Sequence, residues 1–188
     1  MTQTKWYRGV ALLGAVAATV VALGADAPPQ TIDAGGLTFQ APGSWKSSRP
    51  SSFMRRAQLA VPPAQGAGES AELVVFAFPG GAGTVQQNVA RWQQQFEDPS
   101  GKPPRITSEA RRGKNVDVTV VECAGRYVAA VQPGSPERLD KPDYRMLAAI
   151  VQTPEVAYFL KMVGPDATVK AAKPAFDDLC KSITVPRR

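Results

Sequence analysis

The feature that most constrains the fold of this chain is an apolar run of strand length, 72–78 (ELVVFAF), bounded on both sides by turn-forming residues. A run this short, apolar at nearly every position, reads as a central strand covered on both faces. Such a strand needs a sheet around it and a layer of structure against each side of that sheet. Other segments supply the neighbours. Residues 37–41 alternate like a strand before Pro42-Gly43 turns the chain into Trp45. The Ser-rich stretch 46–52 reads as loop, 53–61 as a strand with mixed alternation, and 62–68 as a flexible turn. Residues 106–111 and 116–123 read as strands paired across Gly113-Lys114-Asn115, with Val116, Val118 and Val120 on one side of the second. After a bend at Gly125, residues 127–131 continue as strand, and 132–142 is a proline-bearing surface loop. Residues 144–152 and 156–163 form a hairpin across Thr153-Pro154-Glu155.

Two segments carry helical spacing instead. Thr84 is placed to cap a helix over 85–96, where Val85, Val89, Trp92 and Phe96 share one face and Gln and Arg fill the other. After Gly164-Pro165, the stripe Val169, Ala172, Phe176, Leu179 and Ile183 predicts a second helix. Pro174 interrupts that stripe, which predicts a short turn first and a regular helix only from about residue 174 to 182. The result is an α+β single domain: a central, largely antiparallel sheet of about six or seven strands, flanked by helices as an α/β/α sandwich.

The start of the chain sets the compartment. Lys5 and Arg8 precede 9–24, a run of Ala, Val, Leu and Gly without charge. This is the layout of a secretory signal peptide, and the run is shorter than the roughly 20 residues a spanning helix needs. Residues 1–27 are therefore assigned as signal peptide, cleaved after Gly24 or after Ala27, and 28–36 as a linker into a domain at 37–185. The mature chain of about 160 residues suits one domain, extracytoplasmic (periplasmic or secreted) in a bacterium and without a stable membrane span. Cys123 and Cys180 form an even pair in an oxidising compartment, which allows a disulfide. It would close a loop of roughly sixty residues and contribute about 4 kcal/mol in the chain-entropy model; two buried free thiols are the alternative.

Histidine is absent, which removes Ser-His-Asp and Cys-His catalysis and imidazole metal sites. The glycine turn 78–84 (FPGGAGT) lacks the Lys-Ser/Thr of a phosphate loop and reads as a tight strand-to-helix connection. Asp177 and Asp178, consecutive on a helix, diverge by about 100° and cannot act as an acid–base pair. Asp140 and Asp143 lie in a loop without calcium-loop spacing. Basic residues occur as scattered pairs, a solvated surface rather than a nucleic-acid patch. No catalytic set, cofactor site or metal site emerges.

The strings 39–45 (FQAPGSW), the run through Asn88, Arg91-Trp92 and Gln95-Phe96, and Phe159-Leu160-Lys161 leading to Gly164-Pro165 resemble the PsbP-like family, in particular exported bacterial proteins of that fold. The resemblance covers most of 37–185 and its motifs are structural. It implies a sheet between helices used in accessory and binding roles: photosystem members dock to a membrane protein complex and support ion retention, and a eukaryotic relative binds a small GTPase. The family's metal-binding histidines and its lipid-attachment cysteine have no counterpart here. The expectation is an exported, non-catalytic binding or accessory domain of the cell envelope. Its partner surface is placed on loops near Trp45, Arg49, Arg55 and Arg56. The alternatives are a carboxylate-dependent envelope hydrolase and an electrostatic binder of acidic lipid or polymer.

Overall fold

A computed structural model describes residues 27–50, 52–131 and 134–186. The proposed signal peptide, up to Asp26, and the terminal Arg187-Arg188 pair lie outside the described residues. The apolar run sits in β5 (Ala71–Pro79), and the hairpin read from the sequence is β9 (Lys141–Gln152) with β10 (Val156–Pro165). Thr153 closes that hairpin, its hydroxyl accepting from the Val156 N–H at 3.0 Å. Around them lie β3 (Lys46–Ser48), β4 (Arg55–Val61), β6 (Phe96–Glu97), β7 (Ile106–Arg112) and β8 (Asp117–Tyr127). These build an eight-stranded sheet in the order β3-β4-β5-β10-β9-β8-β6, with β7 also pairing β8. Each of these pairings is antiparallel.

Alternation along the central strands divides the core in two. Leu160 and Met162 of β10 point into one cluster, with Leu59, Leu73, Leu147, Phe176 and Leu179, while Phe159 points into the other, with Met146, Ile150, Trp92 and Phe96. The first face is covered by α2 (Asp166–Ser182) and by a two-stranded hairpin of β1 (Gln30–Asp33) and β2 (Thr38–Ala41); the second is covered by α1 (Val85–Gln93). The sheet is thus sandwiched as its central strand requires.

Several expectations differ from the structure, among them that 46–52 is loop throughout and that strand continues over 127–131, since 46–48 form β3 and β8 ends at Tyr127. First, the stretch 28–36 is not a linker, because it holds β1. Gly35 and Gly36 adopt positive φ (76° and 99°), and Asp33 Oδ1 accepts from the Gly35 N–H at 2.9 Å, so the glycines make a tight turn into β2. Second, α2 runs unbroken through Pro174. Pro174 is exposed, as is Lys170, whose carbonyl loses its helical donor there, so water can take that donor's place. Buried Thr168, Val169 and Ala172 anchor the turns before it. Third, α1 ends at Gln93 rather than 96, since Phe96 turns into β6 and pairs with Tyr127. Fourth, of the two states left open for Cys123 and Cys180, the structure shows buried free thiols and no disulfide. Cys123 belongs to the α1 face and Cys180, on α2, to the opposite face, so the sheet stands between them.

Candidate functional site

The four residues expected to form a partner surface do not lie together. Trp45 is buried (3% exposed) rather than displayed; it packs into the α2-side core, where its backbone N–H donates to Pro42 O at 3.0 Å. Arg49 is exposed in the β3–β4 loop, the loop that also displays Phe53 at 88% exposure. Arg55 lies over the Phe76 ring at 5.9 Å and donates to Gln58 Oε1 at 3.1 Å and Glu72 Oε2 at 3.4 Å, on the α1 face. Arg56 lies on the opposite side, beside Gly35 and near Tyr158, whose hydroxyl donates to Gly35 O at 3.0 Å.

Trp45 instead forms a wall of a solvent-open groove of about 570 Å³ on the α2 side. Pro42, Trp45, Pro62 and Pro63 face the small residues Ala171 and Ala175 of α2, and Asp178 stands among the lining residues. Ala27 and Pro29 border it, and their segment crosses so close to Gly43 that a β-carbon there would lie 2.2 Å from Pro28 O. The turn of the string 39–45 is therefore shaped by this crossing. Ala171, Ala172 and Ala175 are the short side chains of α2 on this side, and they leave the space.

A second concentration of chemistry lies at α1. Thr84 and Gln87 form a capping box, the Thr84 hydroxyl accepting from Gln87 N–H at 3.2 Å and Gln87 Oε1 from Thr84 N–H at 2.9 Å. These bonds use donors that a phosphate would need, as the strand-to-helix reading of 78–84 expects. Asn88, buried at 1% exposure, donates to Ala82 O at 3.0 Å and Thr84 O at 2.8 Å, and its Oδ1 accepts from Arg91 Nη2. One turn on, Gln95 Oε1 accepts from the amine of Lys161 on β10, and that amine lies 5.5 Å from the centre of the Tyr127 ring. Burial, reinforced by the Arg91 charge, pushes the Lys161 amine down to about 8; burial pushes the Tyr127 hydroxyl up to about 12. Asn88, Arg91, Gln95 and Lys161 all fall within the strings that resemble the PsbP-like family, and nothing in those strings marks them as a common site. The available signal was Lys161 itself, which alternates with Phe159 and Val163 and so points toward the covered face.

Several of the carboxylates are spent on cations. Arg145, between β8 and α2, reaches Glu122 and, at 2.8 Å, Asp166 Oδ1, while Lys173 Nζ meets Glu122 Oε2 at 2.9 Å. These partners hold Glu122 and Asp166 below the usual carboxylate range against the opposing effect of burial. Asp140 takes a two-point contact from Arg126 at 2.6 Å each. Asp177 pairs with Arg111 at 2.7 Å and Asp178 with Lys181 at 2.7 Å, so the neighbouring acids indeed diverge. Carboxyl groups held low, as those of Glu122, Asp140 and Asp166 are, make poor general acids. Among the described residues no cluster of three or more potential metal ligands occurs, and no helix is long and apolar enough to cross a membrane.

The order of strands and the helix on each face define a PsbP-like fold. The solution structure of cyanobacterial PsbP (CyanoP) from Synechocystis superimposes with a TM-score of 0.52 at 15% identity, covering 90% of this chain and 98% of that one. LpqN of Mycobacterium tuberculosis, described as involved in cell envelope biogenesis, is similar with a TM-score of 0.50 at 10% identity over 85% of this chain and 91% of its own. At these identities the likeness is one of fold. No protein-family model and no curated protein matches the sequence.

Proposed function

We propose that the mature chain is a binding or accessory domain acting outside the cytoplasm, which holds an apolar segment of an envelope protein in the groove between Trp45 and α2. The groove carries this reading: its walls are mainly proline, tryptophan and alanine, with Asp178 the one ionisable residue among them, a surface suited to desolvating a partner segment and without an acid–base pair for turnover. The export-like start of the sequence supports the compartment, as does the fold shared with LpqN, a protein of envelope biogenesis. The cation-paired state of Glu122, Asp140, Asp166, Asp177 and Asp178 argues for binding over a carboxylate hydrolase.

Photo-crosslinking tests it. A crosslinker at Ala171 or Pro63, exposed to native envelope, is expected to give a discrete adduct that a crosslinker at Lys102 does not give. Filling the groove with Ala175→Trp is expected to abolish the adduct. An adduct unaffected by that substitution, or turnover of hydrolase substrates by the purified domain, overturns the reading.

A further inference from the structure

On the α1 face, away from the groove, several hydrogen-bond donors close to Lys161 have no acceptor among the described residues. Arg91 spends Nη2 on Asn88, and its Nε and Nη1 have no partner among the described residues. Gln95 gives its oxygen to Lys161 and keeps Nε2 without a partner, and Lys161 spends one proton on Gln95 while the rest of its amine faces the Tyr127 ring. No carboxylate pairs with Lys161 among the described residues. Glu72, an acid on the same face of the sheet, is held by Arg55 at 3.4 Å and Gln58 at 2.7 Å. A half-buried lysine beside an arginine, without an anion, is an arrangement that proteins rarely leave uncompensated. The positions are well fixed. Asn88 and Arg91 share one face of α1 and Gln95 follows in the turn after its end, the buried Asn88 is pinned by two carbonyl oxygens, and Lys161 is held in the centre of the sheet between β5 and β9.

We propose that Arg91, Gln95 and Lys161 form a binding site for a single oxyanion, a carboxylate or phosphate group presented at the edge of α1. Nη2 has a second proton, which with one neighbouring N–H forms an edge of two parallel donors on Arg91, the geometry that suits planar carboxylate and phosphate oxygens, while Lys161 supplies a point charge from the sheet below and Gln95 Nε2 a further donor. Asn88 is a positioning residue: it turns the guanidinium and does not touch the ligand. A bound anion would also return to Lys161 the full charge that burial and Arg91 disfavour, so ligand and protonation favour one another.

The test is titration of the purified mature domain with inorganic phosphate and with acetate, using chloride at equal ionic strength as control. The reporters are the nuclear magnetic resonances of the Trp92 indole N–H and the Gln95 side-chain amide. Saturable shifts with phosphate, acetate or both, absent with chloride, are expected, and the tighter of the two identifies the oxyanion class. Lys161→Met and Arg91→Gln are each expected to weaken binding at least tenfold, with Arg91→Lys between them and wild type. Arg91 is exposed, so Arg91→Gln carries the test if Lys161→Met disturbs folding. Shifts that follow ionic strength alike in all three salts, or saturable binding that survives Arg91→Gln, overturn the site. Because the groove lies on the other face of the sheet, neither result bears on the crosslinking at Ala171.

Discussion

Lys161 shows how a single residue can work against the stability of its surroundings. Its amine falls from 10.5 to about 8 in the folded chain, so between these values the unfolded chain binds the proton more tightly. The folded state is penalised below about 8 and relieved as pH rises toward 10.5. Lys161→Met is therefore expected to be more stable than wild type at pH 7 in anion-free buffer, with the advantage shrinking by pH 10, as read from urea midpoints. The comparison must be between these two proteins. Cys123, Cys180 and Tyr127 shift upward and lower the stability of both on the alkaline side. The cysteines give a second prediction. Burial raises Cys123 to about 11 and Cys180 to about 12, which leaves almost no thiolate at pH 8. Native protein is expected to resist iodoacetamide, and both thiols to react after denaturation; a single disulfide-bonded species would contradict the structure. Sequence spacing permitted a bridge because chain separation carries no information about which side of a sheet each cysteine occupies. Trp45 misled for a similar reason. Its Pro-Gly turn has the composition of an exposed loop, yet Trp45 packs into the core on the α2 side, a non-local contact that the turn itself does not signal.

Among the elements, α1 was legible because its stripe, its cap and its glycine turn all agree. Its end was not, since Phe96 continues the apolar spacing yet pairs as strand β6. In α2 the local signal of Pro174 lost to packing on both sides of it, with Val169 and Phe176 each fully buried. That outcome predicts that Pro174→Ala restores a helical hydrogen bond on the exposed face and stabilises the domain by about 1–2 kcal/mol, less than the full proline penalty because an unfolded chain with proline is also more restricted. A loss of stability in urea denaturation would mean that the helix relies on the proline. Hairpin β1–β2 was hidden because Gly35-Gly36 reads equally as turn or tether, and its pairing with Thr184 near the far end of the chain is non-local: Thr38 and Thr184 exchange two backbone hydrogen bonds at 2.9 Å.

For the molecule as a whole, the sandwich was readable from β5, but the neighbour relation of β5 and β10 was not, because strands so distant in sequence leave no local mark of pairing. The ion network of Arg145, Glu122, Asp166 and Lys173 joins sheet to helix across one layer boundary. Its carboxylates are lowered on folding, so their contribution is complete above the unfolded values near 4 and is lost as acid titrates the folded groups. Arg145→Met is expected to cost about 2 kcal/mol, less than breaking a fully buried pair, and to flatten the acid limb of a stability–pH curve. An unchanged acid limb would remove the network from that account.

The two borders of the large sheet differ from its interior in one respect with consequences beyond the fold. At one side β3 offers only Lys46-Ser47-Ser48, all exposed; at the other, β7 carries Glu109, Arg111 and Arg112, with Arg111 bridging Glu109 at 3.0 Å. Unpaired rims of this kind can recruit further strands and seed fibrous growth, and charge and brevity at the rim oppose it. A sheet bordered in this way carries its own safeguard against polymerising, separate from any surface the domain uses to bind.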